Sequence, residues 1–166
     1  MKKLALILVV AVTALTACTK EKPEVGGTGA EKVANEWWVR LTVEGNDIYK
    51  LGHFKMATYN TASSKDSIWI DDLKHGYGFK SKAKVDLSNL TFGAANVQNT
   101  YYDPAKPANF PLTVSVTNGK VLPGAGLSKT GNVTDSIYLE VEFSDDPGTK
   151  YIMSGHARTQ FAEDEY

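Results

Sequence analysis

Between residues 79 and 87 the chain alternates without a break: Phe79, Ser81, Ala83, Val85 and Leu87 fall on one face, and Lys80, Lys82, Lys84 and Asp86 on the other. Successive side chains of a β-strand point to opposite sides, so a period of two predicts a strand. A strand with one wet face and one dry face belongs in an antiparallel sheet. The inward residues here are small, which leaves room for a larger side chain opposite them or for a cavity.

The same period recurs along the chain. Trp37, Val39, Leu41 and Val43 alternate with Trp38, Arg40, Thr42 and Glu44, and Gly45-Asn46-Asp47 supplies turn chemistry. A second strand is expected over residues 48–59, bent near Gly52, and a third over 67–73 around Ile68, Trp69 and Ile70. A short strand is expected at 90–92, followed by an irregular stretch over 93–109 that contains Pro104 and Pro107. Leu112, Val114 and Val116 alternate with polar residues, and Asn118-Gly119, the strongest short hairpin signal in the chain, predicts a turn into residues 120–122. Residues 123–134 read as a Pro/Gly/Ser loop. Ile137, Leu139, Val141 and Phe143 mark another strand, and Asp145-Asp146-Pro147-Gly148 predicts a turn into a last one over 151–159. The acidic tail from Phe161 to Tyr166 is expected to lie over a barrel end or to fray.

Eight or nine short strands and no convincing amphipathic helix give an all-β chain. Sequential strands joined by short turns tend to pair with each other, and closure removes exposed edges. The expected fold is therefore a small antiparallel up-and-down β-barrel of about eight strands. A barrel of that size is either filled by side chains or holds one small ligand, and the sequence leaves both open.

The N-terminus carries a separate message. Met1-Lys2-Lys3 is a short positive segment, and the apolar run over residues 4–15 is too short to cross a hydrocarbon core, for which a helix needs about 20 residues. Both fit a secretory signal. Leu15-Thr16-Ala17-Cys18 matches a lipobox: the cysteine sulfur accepts a diacylglyceryl group, and the small neighbours admit the signal peptidase. Cys18 is the single cysteine of the chain, so no intramolecular disulfide is available to it. The expected organisation is a signal peptide over residues 1–17, a lipidated N-terminus and flexible tether over 18–35, and one barrel domain over 36–166. Two or three acyl chains hold a protein stably on a bilayer. Thr19 stands where an aspartate would signal inner-membrane retention, so the expected location is the bacterial outer membrane, on its periplasmic face or at the cell surface. The chain has 18 basic and 19 acidic residues, and no basic stripe for nucleic acid.

Several segments read together carry a resemblance. They are Glu36-Trp37-Trp38-Val39, Ala57-Thr58-Tyr59-Asn60-Thr61-Ala62, Trp69-Ile70-Asp71-Asp72, Lys84-Val85-Asp86-Leu87, Leu90-Thr91-Phe92, Asp135-Ser136-Ile137, Val141-Glu142-Phe143-Ser144-Asp145-Asp146-Pro147-Gly148 and Ser154-Gly155-His156-Ala157-Arg158-Thr159. Over residues 36–166 the chain resembles a family of small lipoproteins from gut anaerobes described as lipid-binding putative hydrolases. The resemblance implies a calycin-like barrel and a lipid-like ligand, and it brings no assigned catalytic residue. Calycins commonly place an Arg of the last strand over a Trp of the first. Trp37 (or Trp38) and Arg158 occupy those places, and a desolvated cation–π contact is worth up to about 2 kcal/mol. The glycine that precedes the tryptophan in lipocalins is missing, since Asn35 stands before Glu36-Trp37.

Candidate chemistry is sparse. There is no Gly-x-Ser-x-Gly elbow. Ser154 and His156 share a strand face and could begin a dyad; the bland alternative is an ordinary strand face. Asp71, Asp72 and His75 could approach a metal but read more simply as turn residues, as do Asp145 and Asp146. His53 stands alone, and the Lys80/Lys82/Lys84 row reads as a solvated face. Neither a metal nor a cofactor is expected. The aromatic residues are the better lead, because ligand pockets are mostly apolar with a few placed polar groups. Trp69, Phe54, Met56, Phe79 and Tyr138 are the candidate liners, with core filling as the alternative. Three readings follow. The first is a membrane-anchored barrel that binds a small apolar or lipid-like ligand. The others are a hydrolase of a lipid or ester, and a non-catalytic accessory lipoprotein with a filled barrel.

Overall fold

The computed structural model describes residues 27–62 and 65–166. The predicted signal peptide, Cys18 and the first part of the tether lie outside the described residues. Eight strands follow in chain order: β1 (Asn35–Val43), β2 (Phe54–Asn60), β3 (Ser67–Asp71), β4 (Lys80–Asp86), β5 (Thr91–Gln98), β6 (Thr113–Leu127), β7 (Val133–Phe143) and β8 (Asp146–Ala157). Each pairs antiparallel with its sequence neighbour, and β1 pairs with β8 from Trp37↔Ala157 to Val43↔Tyr151, so the sheet closes into an up-and-down barrel. Gly155 permits that closure, because a β-carbon there would strike the main chain of Trp38.

Alternation sets what lies inside. Every second residue of β4 is buried, and Ile137, Leu139, Val141 and Phe143 of β7 face inward as their spacing predicts. Met56, Ile68, Ile70, Phe79, Ile137, Leu139 and Met153 are each 0 % exposed. These side chains belong to one contiguous buried apolar cluster, so they pack against one another inside the barrel. Phe54, Met56 and Phe79 belong to this buried cluster.

The barrel has two distinct ends. At one, which we call the mouth, Tyr77 stacks on Phe143 with ring centroids 3.8 Å apart, and Tyr151 donates to Asp146 at 2.6 Å. Burial, with the bond to Asp146 next, pushes the Tyr151 hydroxyl well above the usual phenol range. At the other end the chain enters through a 3-10 turn, Glu31–Val33. Ala30 and Val33 are buried there, and Thr58 donates to the Val33 carbonyl at 2.5 Å while accepting from the Trp37 indole at 2.8 Å. The flexible tether expected through Asn35 is thus shorter: residues 30–35 are docked on the barrel, because Ala30 and Val33 have apolar surface to bury.

Other boundaries differ for identifiable reasons. The second strand begins at Phe54, and Ile48 to Gly52 form a loop held by the Asp47 carboxylate, which accepts from the amides of Leu51 and Gly52. Asn118-Gly119 is not a hairpin turn. It is a bulge inside β6, between the Thr117↔Glu140 and Lys120↔Tyr138 pairs, with Asn118 at φ 53°. The Pro/Gly loop expected over 123–134 shrinks to residues 128–132, as β6 runs on to Leu127. The last hairpin turns at Ser144-Asp145, so Asp146, Pro147 and Gly148 already belong to β8.

Candidate functional site

Three register pairs join β4 to β5: Lys84↔Gly93, Val85↔Phe92 and Asp86↔Thr91. Beyond Gly93 the strands part. β5 carries register shifts between Phe92 and Ala94 and between Ala94 and Val97, and Asn96 sits at φ 49°. The split is stapled at its mouth end by Asn99, which is 0 % exposed. Its side-chain oxygen accepts from the Lys80 amide at 2.9 Å, its amide nitrogen donates to the carbonyls of Gly78 and Pro111, and the Thr100 amide bonds to the Lys80 carbonyl. Between the staple and the Lys84↔Gly93 pair, Lys80 to Ala83 face Ala94 to Gln98 without a ladder pair among the described residues.

The seam opens onto the outer wall. A cleft of about 450 Å³ is lined by Trp69, Lys82, Val97, Gln98 and Thr100. It shares Lys82 and Val97 with a second, of about 560 Å³, whose walls include Ser67, Ala83, Lys84, Gly93, Ala94 and Ala95. A third, of about 660 Å³, continues from Lys84 and Gly93 across to Asn118, Lys120, Tyr138 and Glu140. The shared residues make the three one furrow. Its floor is made of small apolar residues and two glycines, Gly93 and Gly119.

Its charges are asymmetric. Glu140 is occupied by Lys150 at 2.9 Å and by the Tyr138 hydroxyl at 3.0 Å. The Lys150 bond foremost, then one from the Asn118 side chain and the Tyr138 bond, bring its carboxyl down to about 2. Asp86 accepts from the Ser88 amide and the Asn89 side chain of its own turn. Lys80 lies 3.4 Å from Asp71, which also accepts from Tyr101 at 2.6 Å and Tyr59 at 3.0 Å. The Tyr59 hydroxyl, with Asp71, holds Lys80 above the usual lysine range. Lys82, Lys84 and Lys120 make no ion pair among the described residues. Instead Lys82 lies 5.0 Å from the Trp69 ring and Lys120 lies 5.3 Å from the Tyr138 ring. The furrow is therefore an apolar trough with unneutralised ammonium groups on its rim and an aromatic ring at either end.

The expected site residues separate into two groups. Trp69 and Tyr138 are on the outer wall and in the furrow, while Phe54, Met56 and Phe79 are inside, so the five do not line one cavity. The Trp37–Arg158 cation–π pair is not formed. Trp37 points into the barrel, while Arg158, on the outward side of the chain leaving β8, bonds Glu36 and Glu165 at 2.6 Å each. Over Trp38 lie Lys55 and Tyr166 instead. Ser154 and His156 are both outward on β8 but form no dyad. His156 Nδ1 is 3.0 Å from the Ala157 carbonyl, so that nitrogen donates, and Nε2 accepts from Tyr166 at 3.3 Å. The Asp72 carboxylate is taken up by the amides of Lys74, Gly78 and Phe79. His53 stacks on Tyr166 at 3.9 Å. Residues missed from sequence are Ala94, Ala95, Val97, Lys120 and Asn99. The Gly93-Ala94-Ala95 run followed by Val97 was the available signal, hidden because the bulges destroy the period of two.

No helix among the described residues is long and apolar enough to cross a membrane. Comparison with curated proteins gives no match. A family model matches residues 22–162, nearly the whole of the folded chain: the chain belongs to the family described as lipid-binding putative hydrolase.

Proposed function

We propose that this protein is a lipid-anchored barrel that holds a lipid-like amphiphile with an acidic headgroup along the β4–β5 seam. The observation that carries the reading is the trough of Ala94, Ala95 and Val97 rimmed by Lys82, Lys84 and Lys120, none of them ion-paired within the described chain. Acyl chain against small apolar residues and carboxylate or phosphate against ammonium is the pairing this surface offers. The clustering of the interior side chains supports a site on the wall of the barrel. Anchorage through Cys18, on either face of the outer membrane, belongs to the same proposal, supported by the lipobox Leu15-Thr16-Ala17-Cys18.

The test is titration of the full-length protein with a fluorescent long-chain fatty acid. Lys82→Glu combined with Lys84→Glu should weaken binding at least tenfold, and Ala95→Arg should do the same by filling the trough. Unchanged affinity in both variants would remove the furrow as the binding site.

A further inference from the structure

The three most exposed large apolar side chains among the described residues all lie at one end of the barrel: Val133 at 71 %, Leu127 at 62 % and Phe161 at 58 %. Leu127 and Val133 face each other as a register pair at the tip of the β6–β7 hairpin. Phe161 begins the C-terminal 3-10 turn, Ala162–Asp164. The two segments are tied together. Asp164 accepts from the hydroxyls of Ser128, Thr130 and Thr159 and from the Thr130 amide, and its own amide bonds to the Phe161 carbonyl. The apolar tip is thus held in place and not left to a free tail.

This is also the end at which the described chain begins. Thr28, Gly29 and Ala30 lie beside Asn60, Thr61 and Ala62 at the β2–β3 loop, on the same side as the β6–β7 loop. Residues 19–27 stand between Cys18 and Thr28, and a stretch of about ten residues reaches no more than about 36 Å even fully extended. An acylated Cys18 therefore tethers this end of the barrel close to lipid. We propose that the barrel rests on the bilayer surface by this end, with Leu127, Val133 and Phe161 inserted among the acyl chains. The inference rests on the reading of Cys18 as the lipid attachment point. The contact is apolar: Lys129, the cation of the loop, donates to the Glu165 carbonyl at 2.6 Å and lies over the Tyr166 ring. Insertion should therefore persist at high salt and on neutral lipid.

The experiment uses the full-length acylated protein on phosphatidylcholine vesicles containing nitroxide-labelled lipid. With the Cys18 sulfur acylated, Val133→Cys supplies a single thiol for an environment-sensitive fluorophore. Ile48→Cys, 51 % exposed in the loop at the mouth, is the control. The expected result is quenching by shallow nitroxides at position 133 and none at 48, in low and high salt alike. Adding Leu127→Asp and Phe161→Asp should abolish the quenching while the protein still floats with the vesicles and melts as before. A protein that floats with position 133 unquenched overturns the docking but leaves the anchor standing. A protein that does not float overturns the anchor and the docking with it. Burial of position 133 without vesicles, rising with protein concentration, would assign the tip to a second copy and also overturn the proposal.

Discussion

Arg158 takes two carboxylates rather than an indole because of parity. Trp37 faces inward from β1, whereas Arg158 leaves β8 on the outward side, where Glu36 and Glu165 also lie. Sequence position alone brought the pair together; side-chain direction kept it apart. The same distinction sorts the aromatic candidates. Trp69 lies between the inward Ile68 and Ile70, so its outward place was legible once the register was known. Asp164 was not legible at all, since its donors come from residues 128–130 and 159. Those hydroxyls, Thr130 first and Thr159 next, hold its carboxyl well below the usual range. A depressed carboxylate contributes stability that is present above its unfolded value, near 3.9, and lost as pH falls through its folded value. The C-terminal segment should therefore loosen in acid, below about pH 4. Emission of Trp38, covered by Tyr166, should shift red over that range. Glu165, lowered by Arg158, titrates in the same direction. Asp164→Asn should accordingly shrink the acid step and expose Tyr166 to carboxypeptidase at neutral pH. An unchanged digestion rate would show that the Asp164 network does not hold the tail.

Elements whose alternation is unbroken, β4 and β7, were readable from sequence, and those with bulges were not. β5 contains two register shifts, which place Phe92, Ala94 and Val97 against one partner strand at a spacing that no period of two describes. The Asn118-Gly119 pair shows why a strong local signal failed. Both a tight hairpin and a bulge need a residue in the left-handed region, and Asn118 supplies it in either case. What decides is pairing on the far side: Lys120 continues against Tyr138 of β7 and Thr91 of β5, so the strand is kinked and not reversed. Gly119 is required by close approach, as a β-carbon there would meet the Phe92 ring and carbonyl. Gly119→Ala should cost about 1–3 kcal/mol through overpacking. The check is the urea midpoint, compared with Asn118→Gly, which keeps the left-handed geometry and should leave the midpoint nearly unchanged. Equal midpoints for wild type and Gly119→Ala would mean that the Phe92 contact relaxes freely.

At the scale of the whole molecule, packing and the proposed binding surface occupy different sides of one wall. Closure, strand number and antiparallel order were legible because they follow from chain order and short connections. Whether the barrel was hollow was not, because small inward residues such as Ser81 and Ala83 fit either answer until the side chains opposite are known. Phe79, Phe143 and Met56 belong to the same buried cluster as Ala83. A packed core fits the accessory-lipoprotein reading, yet the seam offers a surface for the proposed ligand where the β4–β5 ladder stops. The two roles can be separated by substitution. Leu139→Ala empties part of the core and should destabilise by about 2–5 kcal/mol, while leaving fatty-acid affinity unchanged at temperatures where the variant is folded. Lys84→Glu sits on the outer wall, makes no ion pair among the described residues, and should change stability by no more than about 0.5 kcal/mol while weakening binding. Paired thermal melts and ligand titrations on the two variants read both quantities. If Leu139→Ala loses affinity in proportion to its lost stability while Lys84→Glu binds normally, the ligand enters the barrel by displacing its core. That would return the site to the interior, where Phe54, Met56 and Phe79 would line it.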